Sequence, residues 1–367
     1  MSQSSTAASQ IRIASFNLYN FIAPPDAYYD FNNIYTQAQW RQKCDWIRRY
    51  LASHDPCVIG FQEVFSIAAL KALLAEAGYP HFVTVDTPEV SDDFIYRHPV
   101  LALASKYPVL SCEACTIDQT VASLMGIAPG FQYSRLPLRA TIALPHLGPC
   151  DCYVVHFKSK RAQFEPELAL VSASTSKPAS VQNAQSEPAA LAEPDSLGGE
   201  KAALFAIEAA AKWASSLVRG TEASLLRLAI ARRRVETGNP VILMGDFNDS
   251  LAGGVLSALV SQDSRLLGEL GEGAFQAYRL LDGYQLHERS QYSPVSVARP
   301  ATHYHLNQGE VIDYILLSNE FDPHNDQCLA EVSQYHTYDS HLINPQYERD
   351  SHSTDHAPVM ISLKIRE

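Results

Sequence analysis

Short apolar runs, set apart by proline, glycine and polar clusters, fill the first half of the chain. The opening run over residues 11–16 predicts a strand, and a turn region rich in Asn, Asp, Pro and Tyr follows over 20–35. Trp40, Ile47, Tyr50 and Leu51 then share one helical face, predicting a helix over 37–53 that Asp55-Pro56 stops. The apolar run 57–62 predicts a buried strand, and 67–77 a second helix closed by Gly78 and Pro80. This β-α-β-α opening fits a layered α/β fold. Further strands are predicted over 81–85, 100–104, 109–116, 139–144 and 152–157.

The texture changes at residue 164. Ala, Ser, Pro and Gln dominate to residue 200 without a periodic apolar face, so 164–200 is expected to be a flexible surface insertion. Residues 201–235 predict a helix, broken near Gly220-Thr221. Arg232, Arg233 and Arg234 close it just before Gly238, where cations complement the helix dipole; contact with nucleic acid is the competing reading. Strands are predicted over 241–244, 311–317 and 359–365, with helical and loop material up to about residue 300. Residues 319–353 read as a long polar excursion rich in His and Tyr. No repeat recurs at a fixed period.

Composition narrows the classes. With 28 Lys and Arg against 40 Asp and Glu, the net charge is −12, which argues against a protein that coats duplex DNA through bulk positive charge. It leaves room for an acidic pocket that holds cations. No apolar run reaches eighteen residues, and the first ten, expected to be a disordered tail, carry no secretory pattern, so the expected address is cytoplasmic. The seven scattered cysteines read as free thiols; Cys112/Cys115 and Cys150/Cys152 lack matching partners at zinc-site spacing.

Candidate chemistry sits where apolar strands end, which is where α/β folds gather ligands. Asn17, Glu63, His156, Asp246 and Asn248 each follow an apolar run; Asp355 and His356 precede the last one, and Asp313 lies within another. Singly, each has an ordinary structural explanation as a cap, a turn residue or a bonded core histidine. Together, hard oxygen donors suit Mg²⁺ or Mn²⁺, and two histidines among carboxylates suit phosphoester hydrolysis.

The stretches IRIASFNLYNF, VIGFQEVF, SRLPLRATI, YVVHFKSKR, VILMGDFNDS, VIDYILLS and STDHAPVMI resemble, in order, those of the endonuclease/exonuclease/phosphatase superfamily, the fold of pancreatic-type deoxyribonuclease. They span residues 11–365. The resemblance implies a four-layer α/β sandwich: two packed mixed β-sheets flanked by helices, as one domain over 11–367. It further implies that Glu63 binds a divalent metal (Mg²⁺ or Mn²⁺, with Ca²⁺ as a candidate second ion) with Asn17 beside it, Asp246 able to join a second ion and Asp355 a ligand in some members. Asp246 and Asn248 would orient the attacking water and contact phosphate. His356 would contact the scissile phosphate, oriented by Asp313, and His156 matches the second histidine of the deoxyribonuclease-like branch. Arg135 matches a phosphate-binding arginine, with Arg139 as competitor.

The resemblance also implies a carboxylate partner for His156, which the sequence leaves unplaced; Asp92 and Asp93 lie in roughly the right region. Lys158 and Lys160 would line the cleft entrance if the strand continues, a solvated edge being the alternative. Thr302-His303-Tyr304 would shape the cleft, and His336, Tyr338, His341 and Tyr347 would offer rings to bases or form a structural insertion.

The first reading is a nuclease cleaving DNA or RNA, with nucleic acid as substrate and no obligate protein partner. The second is a phosphatase or phosphodiesterase for a small phosphorylated metabolite or lipid headgroup. A non-catalytic binding module on the same fold is the third, and it would have lost site residues that are all present here.

Overall fold

The computed structural model describes residues 10–163, 196–260, 272–292 and 298–366; nothing is described for the side chains of 196–200 and 272–274. Residues 1–9 of the expected tail over 1–10, and residues 164–195 of the expected insertion over 164–200, lie outside them.

The strands are β1 (Ile11–Phe21), β2 (Ala27–Tyr28), β3 (Val58–Val64), β4 (His81–Val83), β5 (Glu89–Ser91), β6 (Ile95–Arg97), β7 (Val100–Ser105), β8 (Val109–Ala114) and β9 (Leu138–Leu144). They continue as β10 (Gly148–His156), β11 (Val241–Asp246), β12 (Leu280–Asp282), β13 (His303–His305), β14 (Gln308–Glu310), β15 (Asp313–Ser318), β16 (Ala330–Thr337) and β17 (Val359–Ile365). The main helices are α1 (Gln37–His54), α2 (Ile67–Glu76), α3 (Gln119–Leu124) and α4 (Ser196–Thr237).

Two six-stranded sheets form the centre, ordered β16-β17-β1-β3-β7-β4 and β12-β15-β11-β10-β9-β8. Each is antiparallel except for one internal parallel pair, β1 with β3 and β10 with β11. These central strands are buried on both faces, which explains their near-continuous apolar runs. Along β1, Ile11 and Ile13 face the second sheet while Ala14 and Phe16 face the helices. Cys152 and Val154 of β10 meet that inter-sheet core, and Tyr153 and Val155 meet α4 through Leu226 and Ile230. The result is the four-layer α/β/β/α sandwich.

Helix α1 begins at a reciprocal cap between Thr36 and Gln39 and ends at Asp55, which takes the left-handed conformation before Pro56. Trp46, Ile47, Tyr50 and Leu51 form its buried face.

Helix α4 differs from expectation at two points. It starts at Ser196, so residues 196–200 are helical, and it runs unbroken through Gly220. A side-chain carbon on Gly220 would lie 3.2 Å from the Val255 carbonyl oxygen, so the glycine serves close approach rather than a break. The arginines at its end are each paired with a carboxylate. Arg232 pairs with Asp118, Arg233 with Asp151 at 3.1 Å, and Arg234 with Glu320.

The expected polar excursion contains a strand. β16 pairs antiparallel with β17, and two of its polar residues find partners sideways: Ser333 donates to Ser362 O at 2.9 Å and Glu331 pairs with Arg366 at 3.2 Å. The rings at its end and beyond it pack on α1, with Tyr338 and His341 centred 5.7 and 4.7 Å from Trp46 and His336 centred 5.2 Å from His54. Tyr338 and His341 are therefore packing residues, whereas His336, although its ring meets His54, and Tyr347 are exposed.

Candidate active site

Strand register builds the site. His156 of β10 pairs with Asp246 of β11, and Asp246 pairs in turn with Asp313 of β15. Register partners share a sheet face, so three functional side chains form a row. Gly245 makes the approach feasible. It sits at φ +156°, and a side-chain carbon there would lie 2.0 Å from the Val155 carbonyl oxygen. The other sheet supplies Asn17 from β1 and Asp355 and His356 from the segment entering β17, the antiparallel neighbour of β1.

Asp246 is the hub. Its Oδ2 accepts from Asn17 Nδ2 at 3.1 Å and lies 3.3 Å from His156 Nε2 and 3.7 Å from His356 Nε2. Its Oδ1 accepts from the Asn248 amide at 2.8 Å, and Asn248 Nδ2 donates to Phe157 O at 3.0 Å. Asn248 holds φ +54°, a conformation asparagine tolerates better than most residues. His356 Nδ1 is 2.9 Å from Asp313 Oδ2, and its Nε2 is 3.9 Å from Asp355 Oδ1.

Two threonines lock this frame. Thr354 Oγ1 donates to Asn17 O at 2.7 Å and accepts from the His356 amide at 3.1 Å. Thr302 Oγ1 accepts from the Ile312 and Asp313 amides at 3.0 and 3.1 Å. His303 bridges by its backbone to His356, with ring centroids 4.9 Å apart.

Burial separates the two histidines. His156 is pushed well below the ordinary range by burial, then by Arg135 and His356, and is neutral. Burial alone would lower His356 too, but Asp313 and Asp246 overcome it and hold His356 well above the usual value, as the imidazolium. Burial pushes Asp246 up to about 7; His356 opposes this, and Asp313 and Glu63 add to it.

Glu63 sits at φ +61° where β3 shifts register, and its Oε2 accepts the Asn20 amide at 2.8 Å. Of the two arginines, Arg135 lies at the site. Its charge reaches His156, and its guanidinium donates to Phe157 O at 3.5 Å, the carbonyl that Asn248 also bonds. Arg139 instead pairs with Glu113 at 2.6 Å on the β8–β9 edge.

Two expectations are corrected. Asp92 and Asp93 occupy the exposed β5–β6 hairpin, and the carboxylate that meets His156 is Asp246. β10 stops at His156, so Lys158 and Lys160 do not share a strand face. Lys158 Nζ turns back to Arg161 O at 3.2 Å, and Lys160 pairs with Glu310 at 2.6 Å.

Helix α4 supplies two buried residues that the sequence pattern did not single out. Glu222 accepts the Ser134 and Lys158 amides at 2.6 and 2.7 Å, tying the loop of Arg135 to the end of β10. Arg219 donates to Asp249 Oδ2 at 2.6 Å and to Lys158 O at 3.0 Å. Two charges on the apolar face of a helix were the available signal.

The donors fit a hard divalent cation. Asp355 Oδ1 is buried without a hydrogen-bond partner. Among the described residues, Asp246, Asp313 and His356 bring ligand atoms within 4.8 Å of one another, as do His303, Asp355 and His356. Glu63 is outside both groups, though its charge acts on Asp246.

This fold, with carboxylates and histidines gathered at the strand ends, defines a phosphoester-hydrolase class of protein. The sequence matches the Endonuclease/Exonuclease/phosphatase family over residues 14–356, and the chain belongs to that family, whose members are phosphoric ester hydrolases that typically use divalent metals. Among solved structures, the human Nocturnin catalytic domain with bound sulfate anion is similar at 14% identity and a TM-score of 0.55, covering 97% of this chain and 95% of that one. An endonuclease/exonuclease/phosphatase from Bacteroides vulgatus is similar at 14% identity and a TM-score of 0.52, covering 98% and 100%. No curated protein matches the sequence. Among the described residues, no helix is long and apolar enough to cross a membrane.

Proposed function

We propose that this protein is a divalent-metal-assisted phosphodiester hydrolase acting on nucleic acid or a nucleotide diester. The observation that carries the reading is the row Asp313–His356–Asp246–His156, with a protonated and a neutral histidine on either side of one buried carboxylate.

His356, held charged by Asp313, donates toward a phosphoryl oxygen and offsets the charge that builds there. Asp246, oriented by Asn17, Asn248 and His156, takes the proton of the attacking water; a carboxylate pushed up to about 7 is matched to that task near neutrality. Arg135 holds a phosphate oxygen from the other side. Glu63, Asp355 and Asp246, with Asn17, would hold the cation, which supplies charge stabilisation at phosphate when bound.

A second reading, a phosphatase or phosphodiesterase for a small metabolite, draws on a specific feature. Lys160 and the Arg232–Arg234 triplet are all engaged by carboxylates, so these cations do not lay a track for a long polyanion.

The test is hydrolysis of single- and double-stranded DNA and RNA, bis-p-nitrophenyl phosphate and p-nitrophenyl phosphate, with Mg²⁺ or Mn²⁺ and an EDTA control. Metal-dependent cleavage of polymer that His356→Ala lowers by about 10³-fold or more supports the nuclease. Cleavage of the small esters alone moves the substrate to metabolites. Near-normal kcat in His356→Ala overturns the site.

A further inference from the structure

Strand β1 is buried along its length except at Arg12, which is half-buried, and Tyr19, whose side of the strand is exposed. A register shift between Asn17 and Phe21 takes residues 18–20 out of pairing with β3. Tyr19 and Asn20 both adopt left-handed φ, +50° and +53°. Neither is glycine, so the bulge holds backbone strain of the kind found where a strand re-aims a side chain beside a reacting centre.

The re-aimed group is a phenol ring, 40% exposed. Its backbone is tied to the site on both sides. The Tyr19 amide donates to Asn17 Oδ1 at 3.0 Å, and the next amide donates to Glu63 Oε2 at 2.8 Å.

Behind the ring is a cavity of about 470 Å³ that reaches Asp355 and is lined by Tyr19, Tyr28, Tyr35, Asn33 and Lys43. Tyr28 and Tyr35 lie 5.7 Å apart, tilted by 33°. The Tyr35 hydroxyl donates to Tyr19 O at 3.4 Å and braces the bulge. Lys43 Nζ is 5.6 Å from the centroids of both Tyr19 and Tyr35 and donates to Ser353 O at 2.8 Å, holding the segment that carries Asp355. The walls are therefore flat, aromatic faces with hydroxyl and amide groups around them. Among its lining residues Ile34 is the one apolar aliphatic side chain, a narrow floor for an acyl chain, whereas a planar base finds stacking surface and edge partners.

We propose that the Tyr19 bulge and the cavity behind it form a subsite for the nucleobase of a substrate whose phosphate lies at His356. The proposal rests on the hydrolase reading above and narrows its substrate to a nucleotide phosphodiester.

The experiment compares kcat/KM for thymidine 5′-monophosphate p-nitrophenyl ester and for methyl p-nitrophenyl phosphate, diesters with the same leaving group that differ in the nucleoside. Stacking on one ring predicts a wild-type preference of about tenfold or more for the thymidine ester. Tyr19→Ala is expected to lower that preference about fivefold or more, and Tyr19→Phe to keep it within about twofold, because the ring and not the hydroxyl does the stacking. The ratio cancels losses of folded enzyme or of metal.

A wild-type ratio near one, or a ratio unchanged in Tyr19→Ala, overturns the subsite. So does faster turnover of glucose 6-phosphate than of either diester, which assigns the cavity to a sugar. If neither diester turns over, calorimetric titration with thymidine 5′-monophosphate decides: binding weakened by Tyr19→Ala supports the subsite, and absence of binding overturns it. His356→Ala runs beside these. Loss of both activities in that variant, with a wild-type ratio near one, removes the subsite alone; full activity in it removes the hydrolase reading.

Discussion

His356 and His156 lie on either side of Asp246, yet their surroundings drive them to opposite charge states. Both are buried, which by itself favours the neutral ring. Asp313, 2.9 Å from His356 Nδ1, reverses that preference for one of them. Arg135 reinforces it for the other. The charged form of His356 is present below its raised pKa and is lost as pH climbs through it. Asp313→Asn removes the main force that raises it, so the alkaline limb of the pH–rate profile should move to lower pH, with kcat reduced about tenfold or more even at its optimum. An alkaline limb that stays in place would show that another group sets it.

At the scale of elements, β10, β11 and β15 contribute a row of side chains because their register is fixed, and α4 holds the neighbouring loops in place. Glu222 is the contact that matters most. Replacement by leucine leaves the partly buried Ser134 and Lys158 amides without their acceptor, at a cost of up to about 1–3 kcal/mol for each orphaned group. Urea unfolding should show a lower midpoint with an unchanged slope. Gly245→Ala should be more damaging. The new methyl collides with the Val155 carbonyl and parts β10 from β11, so little folded protein is expected on size exclusion.

At the scale of the whole molecule, metal and protons should both shift stability. A cation held by Glu63, Asp355 and Asp246 binds only the folded chain, so Mg²⁺ or Mn²⁺ should raise Tm by an amount that grows with the logarithm of its concentration. Glu63→Gln should shrink that rise, and an unchanged titration would place the cation elsewhere. Acid should destabilise the fold. Burial pushes His341 down to about 4, while its Nε2 bonds His356 O at 3.0 Å. As pH falls from about 6.5 to about 4, the unfolded chain takes up a proton there that the folded chain does not, removing up to about 3 kcal/mol. His156 and His303, also pushed down by burial, act in the same direction. Thermal melts across that range should lose this slope in part in His341→Phe.

Most of the strands and helices, and eight candidate site residues, were legible in the chain because central strands buried on both faces must be continuously apolar, so a carboxylate, amide or imidazole in or beside such a run stands out. That logic needs no partner strand, and it sufficed for Asn17, Glu63, His156, Asp246 and His356. It could not reach β16, whose Glu331 and Ser333 look exposed until Arg366 and Ser362 are placed beside them. Nor could it separate Arg135 from Arg139, identify Asp246 as the carboxylate that meets His156, or bring in Glu222 from a helix 88 residues beyond Ser134. Periodicity records whether a position is buried, a property each segment carries alone. Which charges meet inside is decided only by register and packing between segments distant in sequence, and those contacts set the protonation states on which the proposed chemistry depends.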